Sequence, residues 1–448
     1  MDTICALATA PGGALGIIRI SGAQSLEILS RIFSKDLTNA KPNTIHYGHI
    51  SDIDEVLVSV FRAPHSYTGE DSAEISCHGS RYILNKVLEL LLVNGCRMAN
   101  PGEYTQRAYL NGKLDLSQAE AVADLIASSN QATHQLAMSQ LRGGISTQLS
   151  LLREQLLKLT SLLELELDFS DHEDLEFADR SEILTLANII DKHILSLSHS
   201  FEIGQAIKQG IPVAIIGKTN VGKSTLLNRL LHEERAIVSD IHGTTRDTIE
   251  DTIDLQGVTF RFIDTAGIRQ TTDTVEQIGI ERTYASIQKA RIIIWVVDQQ
   301  PTQEEYKEIL DAAKGKSLII SQNKIDKDSS ADFPLFHSDD VHNYSFVSIS
   351  AKHNINIEQL EQMIYQAAKI PTLSNSDIII TNARHYDALV RSHNHLQRVL
   401  DGLDQQLSGD LLSEDLRLTL DTLSEITGGQ ITPNEVLGNI FKNFCVGK

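Results

Sequence analysis

The residues Gly217-Lys218-Thr219-Asn220-Val221-Gly222-Lys223-Ser224 carry the chemistry that is read first. They fit GxxxxGK[ST], the spacing of a loop that cradles phosphates. Glycines let backbone N–H groups wrap an anion with no Cβ in the way. The helix that must follow adds its partial positive charge. Lys223 is placed to reach β- and γ-phosphates, and the Ser224 hydroxyl to meet Mg²⁺. Gly217, Asn220, Val221, Gly222, Lys223, Ser224 and Thr225 are therefore the expected phosphate contacts, with Lys223 also catalytic. The context agrees: PVAIIG before the loop reads as a buried strand, and Thr225–Leu231 after it as a helix.

Three further motifs follow in order. Asp264-Thr265-Ala266-Gly267 closes a strand; an acid there holds Mg²⁺ through water, and Gly267 can donate its N–H to a γ-phosphate. Asn323-Lys324-Ile325-Asp326 follows a second strand. Asp326 can accept from guanine N1–H and the 2-amino group, a donor pair that adenine lacks. Asn323 braces the base loop, and the Lys324 stem covers the ring. Ser350-Ala351-Lys352 follows a third strand and offers backbone N–H to guanine O6. The set resembles the small GTPases, which implies GTP binding and hydrolysis.

Many GTPases place a glutamine directly after DTAG to orient the attacking water; here Ile268 stands there and cannot. Gly243-Thr244-Thr245-Arg246-Asp247 lies upstream, and Thr245 is a natural second hydroxyl for Mg²⁺ beside Ser224. Asn220, the segment from Ser239 to Thr245, GTTRD and an apolar residue after DTAG resemble the GTPase branch activated by potassium and by G-domain dimerisation. This resemblance implies K⁺ held by Asn220, Ser239, Ile241 and Thr244. Ser239, Asp240, Ile241, His242, Gly243, Thr244 and Thr245 would then line the nucleotide. The ion would take the place of an arginine finger. Of the acids downstream, Asp273 and Glu276, the second is the better candidate to orient water, as a catalytic residue acting through a second water. For Arg246 and Arg269 two readings stay open, a dimer or RNA contact or an ordinary surface role.

The elements that must position these residues divide a chain of 448 residues, long enough for about two to four domains. Four regions are expected. Residues 1–112 mix short strands (Ile4–Thr9, Leu15–Ile20, Val56–Phe61, Ala73–Cys77) with a helix over Arg81–Leu92, an α+β pattern. Residues 113–208 turn helical, with Ser117 and Glu120 read as a capping box and leucines from Leu149 to Leu163 at helical spacing. Residues 209–370 alternate strand and helix, which predicts a parallel sheet. Residues 371–448 are helical again. The simplest architecture is a multidomain α+β chain in which two helical segments form one all-α domain and a P-loop α/β domain is inserted between them.

Composition sets bounds. A formal charge of −20 disfavours general nucleic-acid binding over the whole surface. The longest apolar run, Ile292 to Val297, falls short of the ~18 residues of a membrane span. With no leader pattern at the start, the expected location is the cytoplasm. Four scattered cysteines (Cys5, Cys77, Cys96, Cys445) form no CxxC pair, which argues for reduced thiols and against zinc. Glu164 to Glu182 holds nine acids and one base; the stretch from Asp168 to Asp179 is a solvated loop or an acidic docking surface.

Both ends of the chain narrow the resemblance. APGGALGIIRISG (10–22), YTGED (67–71), HGS (78–80), PGEYTQRAYLNGKLDLSQAEAVADLI (101–126) and the final FCVGK are similar to the bacterial and organellar tRNA modification GTPases acting on wobble uridine. These belong to the TrmE-Era-EngA-like GTPase superfamily. The resemblance spans essentially the whole chain. It implies that residues 1–112 form a dimerising domain that binds a reduced folate, 5-formyl- or methylene-tetrahydrofolate. Arg19, Glu74, Lys113 and Lys448 would form that site. It implies a catalytic Cys445 whose chemical role is open. It also implies a homodimer that joins the FAD-containing protein MnmG (GidA) in a heterotetramer and acts on tRNA, FAD and NADH coming through that partner. Together they would add an aminomethyl or carboxymethylaminomethyl group to uridine C5. Rival readings are a ribosome-assembly GTPase, a folate-dependent transferase with an inert G domain, and a non-enzymatic switch.

Overall fold

A computed structural model describes residues 2–169, 180–232, 251–263, 284–327, 344–370, 378–429, 441 and 447. The chain folds as two compact units. One comprises 1–127, 137–198 and 384–448; the other comprises 128–136 and 199–383.

The first unit begins with strands β1 (Ile4–Leu7), β2 (Leu15–Ser21), β3 (Thr44–Ile50), β4 (Asp54–Phe61), β5 (Ser72–His78) and β6 (Arg97–Met98), in sheet order β3-β4-β5-β2-β1-β6. Alternation decides its inner face. Val56, Val58 and Val60 of β4 are buried while their neighbours are not. Helices α1 (Ser25–Ile32) and α2 (Arg81–Val93) supply Leu26, Ile28, Leu29, Leu84, Val87 and Leu91 to the same core. Each such side chain contributes roughly 1.5–3 kcal/mol. Helix α3 (Glu103–Leu110) follows β6. Strand β3 is absent from the sequence expectation because it is an edge strand that buries only Gly48 and Ile50.

Helices α4 (Leu116–Ala127), α5 (Gln131–Leu141), α6 (Gly144–Phe169) and α7 (Arg180–Gln209) come next. The expected capping box on Ser117 and Glu120 is displaced. Asp115 Oδ1 accepts from Gln118 N at 2.9 Å, and Gln118 Oε1 accepts from Asp115 N at 2.9 Å, so Asp115 and Gln118 close the helix start. Glu120 is free for another task. Its two oxygens accept from Nε and Nη2 of Arg384, both at 2.9 Å, and Nε2 of the fully buried His385 lies 2.7 Å away. Burial opposes ionisation of Glu120, but His385 and Arg384 outweigh it and hold the carboxyl below its ordinary range.

In the second unit, β7 (Ile211–Ile216), β8 (Asp251–Leu255), β9 (Val258–Phe262), β10 (Ile292–Val297), β11 (Ser317–Gln322) and β12 (Tyr344–Ser348) stand in the order β12-β11-β10-β7-β9-β8. All pairs are parallel except the β8–β9 hairpin. Every residue of β10 is buried, as expected of a parallel strand covered on both faces. Gln256 and Gly257 turn the hairpin with φ of 53° and 81°, the two positive values of a type I′ turn. Helices α8 (Lys223–His232), α9 (Gln303–Ala312) and α10 (Ile357–Ala367) belong to this unit. Helices α11 (Ala383–Asp404) and α12 (Gly409–Thr427) follow it, and α12 packs on α6. The multidomain expectation thus holds, with an inserted α/β P-loop unit. Among the described residues no helix is long and apolar enough to cross a membrane.

Candidate functional site

The phosphate loop runs from the end of β7 into α8. Gly217 has φ +143°, and a Cβ there would stand 2.2 Å from the carbonyl oxygen of Val296 on β10. Gly222 has φ +105°, and its Cβ would stand 2.2 Å from Asn323 Nδ2. Only glycine meets both demands. Between them Asn220 turns with φ +63°. Lys223 Nζ donates to the carbonyls of Gly217 at 2.5 Å and Lys218 at 2.6 Å. Burial lowers its pKa from the usual 10.5, so an arriving phosphate meets an ammonium that is short of solvation.

Asn323, in the loop after β11, joins the phosphate loop to the loop after β12. It is buried; Nδ2 donates to the Val221 carbonyl at 2.8 Å, and Oδ1 accepts from Ala351 N at 3.0 Å. Lys324, with φ +70°, donates to the Asn220 carbonyl at 2.7 Å and pairs with Asp298 at 2.7 Å. Ser350 Oγ donates to Asp326 Oδ1 at 2.6 Å and holds that carboxyl below its ordinary range. The other oxygen, Oδ2, lies 3.7 Å from His353 Nε2. The loops after β7, β11 and β12 therefore bring residues 217–224, 323–326 and 350–352 together at one end of the sheet, where open α/β sheets bind ligands.

Two contributors escaped the sequence reading. Asp298 stands directly after β10 and fixes the Lys324 ammonium. Arg229 of α8 donates to the carbonyls of Ala351 at 3.3 Å and Lys352 at 3.1 Å. Asp298 has a visible signal, an acid ending a wholly apolar strand. Arg229 has none, because its partners lie more than a hundred residues away.

The donor set suits the expected ions. Mg²⁺ bridging phosphates needs few protein oxygens, and Ser224 opens the helix beside Lys223. The Asn220 carbonyl accepts from Lys324, and the Asn220 side-chain amide oxygen, a neutral donor, suits the K⁺ ion that the resemblance implies. Ser239–Thr245, Asp264–Gly267, Glu276, Cys445 and Lys448 lie outside the described residues, as do Arg246, Arg269 and Asp273.

A second cluster sits in the first unit. Arg19 and Glu74 are register partners on β2 and β5. Arg19 Nε and Nη2 donate to Glu74 Oε1 at 3.0 and 2.7 Å. The guanidinium carbon lies 5.6 Å from the rings of both Tyr67 and Tyr104. Nη1 donates at 3.2 Å to the carbonyl of Gly447, a buried residue with φ +96° next to Lys448. Lys113 is exposed and bonds the Pro64 carbonyl at 3.0 Å; its Cγ would lie 3.3 Å from a Cβ on Gly69, in the turn that also carries Tyr67. A carboxylate, a guanidinium and a tyrosine ring suit a flat polar heterocycle with an acidic tail. Cys5, Cys77 and Cys96 are buried free thiols.

Comparison with known proteins agrees with this organisation. Residues 3–113 match the model for the GTP-binding protein TrmE N-terminus, and residues 116–445 the MnmE helical domain. The tRNA modification GTPase MnmE of Phocaeicola vulgatus is 55% identical, covering 100% of this chain and 99% of that protein. Its counterpart in Bacteroides thetaiotaomicron is 55% identical over the same shares, and that of Parabacteroides distasonis 53% identical over 100% of each chain. Among solved structures, the FeoB G domain of Methanococcus jannaschii is 25% identical over 36% of this chain and 98% of that one. Its TM-score is 0.26.

Proposed function

The chain belongs to the MnmE family of tRNA modification GTPases, and from that premise we propose how its residues divide the work. The enzyme is a GTPase of tRNA modification. Its finer activity is potassium-activated GTP hydrolysis coupled to addition of an aminomethyl or carboxymethylaminomethyl group at C5 of a wobble uridine. A reduced folate supplies the one-carbon unit.

One observation carries the nucleotide reading. Buried Asn323 bonds the phosphate loop with one end of its amide and the Ser350–Lys352 loop with the other. The carboxylate that selects guanine is thereby held in fixed register with the amides that grip phosphate. Asp326, preset by Ser350, accepts from the base. Lys324, steered by Asp298 and the Asn220 carbonyl, covers the ring. Ala351 N is already engaged by Asn323, so guanine O6 falls to Lys352 N. Lys223 exchanges its two carbonyl partners for phosphate oxygens. Mg²⁺ on Ser224 and Thr245, and K⁺ at Asn220, Ser239, Ile241 and Thr244, would supply further positive charge to the leaving phosphate. Asp264 and Gly267 are assigned to the γ-phosphate side, and Glu276 to orienting water.

The folate reading rests on Arg19, Glu74 and Tyr67, with Arg19 bonded to the Gly447 carbonyl, two residues after Cys445 and one before Lys448 in the sequence. A cytoplasmic homodimer, a heterotetramer with the flavoprotein MnmG, and tRNA complete the assignment. The test is nucleoside mass spectrometry of tRNA from cells lacking the protein, complemented with the intact chain or with Asp326→Asn. Loss of the C5 modification, restored only by the intact chain, is expected. Fully modified tRNA in the deletion strain would refute the proposal.

A further inference from the structure

Residues 128–136 leave the first unit, join the second and return. Helix α5 (Gln131–Leu141) is continuous across the return point, so its first turns belong to one unit and its last residues to the other. The junction is built with care. Asn130 caps α5: its Oδ1 accepts from Thr133 N at 2.8 Å, while Thr133 Oγ1 lies 3.3 Å from Asn130 N, a reciprocal cap. The side-chain amide of Asn130 also reaches the β8–β9 hairpin, where Nδ2 donates to Thr259 Oγ1 at 2.7 Å. Ala132 N donates to the Gly257 carbonyl at 2.9 Å. Gly257 must be glycine twice over, for its φ of +81° and because a Cβ would stand 2.8 Å from Gln131 Cβ. Ala132 and Leu136 are buried in the same core cluster as Ile253, Leu255, Val258 and Phe260.

The hairpin's place in the sequence gives this docking a meaning. Strand β8 follows the GTTRD segment by three residues, and β9 ends one residue short of the DTAG aspartate. The hairpin is thus the covalent bridge between the segment assigned above to Mg²⁺ and the segment assigned above to the γ-phosphate. Any shift of either segment on hydrolysis pulls on a two-stranded ribbon whose tight turn is clamped by α5.

We propose that Asn130 and the first turns of α5 are the coupling device by which the nucleotide state reaches the folate-bearing unit. Asn130 is a positioning residue that acts through Thr259 and touches no nucleotide. Helix α5 is unbroken from Gln131 to Leu141, so one helix, with no intervening loop, leads from its capped end to residues 137–141. The inference rests on the GTPase reading above.

Hydrogen exchange on the full chain, with GDP and with guanosine 5′-[β,γ-imido]triphosphate, tests it. The unaltered protein should show nucleotide-dependent exchange both in 251–263 and in 137–163. Thr259→Val removes the acceptor while leaving the Asn130–Thr133 cap intact. It should keep the first difference, lose at least about half of the second, and turn over GTP within about twofold of the parent. Asn130→Ala should do the same with a lower melting temperature, because it also removes the cap. A second difference that survives intact in Thr259→Val overturns the proposal alone. So does its absence from the unaltered protein. Failure of the unaltered protein to hydrolyse GTP overturns the functional reading, and this proposal with it.

Discussion

Arg19 Nη1 donates to the carbonyl oxygen of Gly447 across a sequence separation of 428 residues. The same guanidinium spends its other edge on Glu74. One side chain therefore organises the carboxylate assigned to folate and fixes the main chain beside Lys448. The tail enters this place because residue 447 is glycine: φ is +96°, and a Cβ would stand 2.4 Å from the Leu7 carbonyl.

Arg19→Met should lower tetrahydrofolate affinity by about tenfold or more, since a charge-assisted fork is lost. Global stability should change by less than about 1 kcal/mol, as expected for a partly exposed pair. Calorimetric titration measures the first quantity and thermal melting the second. An unchanged folate affinity removes Arg19 from the site.

Asp326→Asn should reduce the preference for GTP over xanthosine triphosphate by about 10- to 100-fold, because xanthine keeps N1–H but presents an acceptor oxygen where guanine has its 2-amino donor. Competition binding with the two nucleotides checks it. Retained guanine selectivity would mean another group reads the base.

Asn323→Ala should destabilise the chain by about 1–3 kcal/mol, because it leaves the Val221 carbonyl and Ala351 N–H without partners in a buried place. GTP affinity should fall in parallel. Denaturant unfolding with and without nucleotide separates the two effects; loss of stability with full affinity would show that the register of the loops does not depend on this bridge.

The pH dependence of binding has a definite sign. Burial lowers the Lys223 pKa in the free protein below the usual 10.5, and a bound phosphate raises it again. GTP binding should therefore take up a proton at alkaline pH. Affinity is full below the lowered pKa and falls as pH rises through it. In the absence of nucleotide, unfolding restores the ordinary pKa, so this group's destabilising contribution shrinks over the same interval. Titration calorimetry in buffers of different ionisation enthalpy counts the proton; a count of zero in that range contradicts the assignment.

Turnover should be faster in K⁺ than in Na⁺ by about tenfold or more, and Asn220→Ala should erase the difference. Glu276→Ala should slow turnover while nucleotide binding persists. Equal rates in the two salts would discard the potassium reading.

The nucleotide motifs were legible because their chemistry is local. Glycine at 217 and 222, the lysine at 223 and the acid at 326 each point to a task by type and spacing, and the structure brings them to one end of the sheet. What the sequence concealed depends on partners far along the chain. Glu120 looks like the second half of a capping box, yet Asp115 and Gln118 take the cap and Glu120 binds Arg384, 264 residues away. Strand β3 hides because Ile45 and Tyr47 stand on its exposed face while Thr44, His46 and Gly48 face inward, so residue type and burial disagree. Strand β8 and its turn hide because Gln256-Gly257 is a weaker turn signal than Asn-Gly. Arg19 and Glu74 meet only once β2 and β5 lie in register.

Helix α7 and the returning chain run together where the α/β unit is entered and left. Ser200 Oγ accepts from Ile380 N at 3.0 Å, and Gln205 Nε2 donates to the Thr381 carbonyl at 2.7 Å. Neighbouring joints invite excision of the insert as a free-standing G domain. Cut there, the fragment would leave its 128–136 strap behind. Ala132 and Leu136 would no longer shield their part of the apolar cluster, and the hairpin turn would lose its clamp. A fragment that is soluble and active only when residues 128–136 are tethered back to it would be the practical sign that this short stretch, remote in sequence, is a true part of the GTP-binding body.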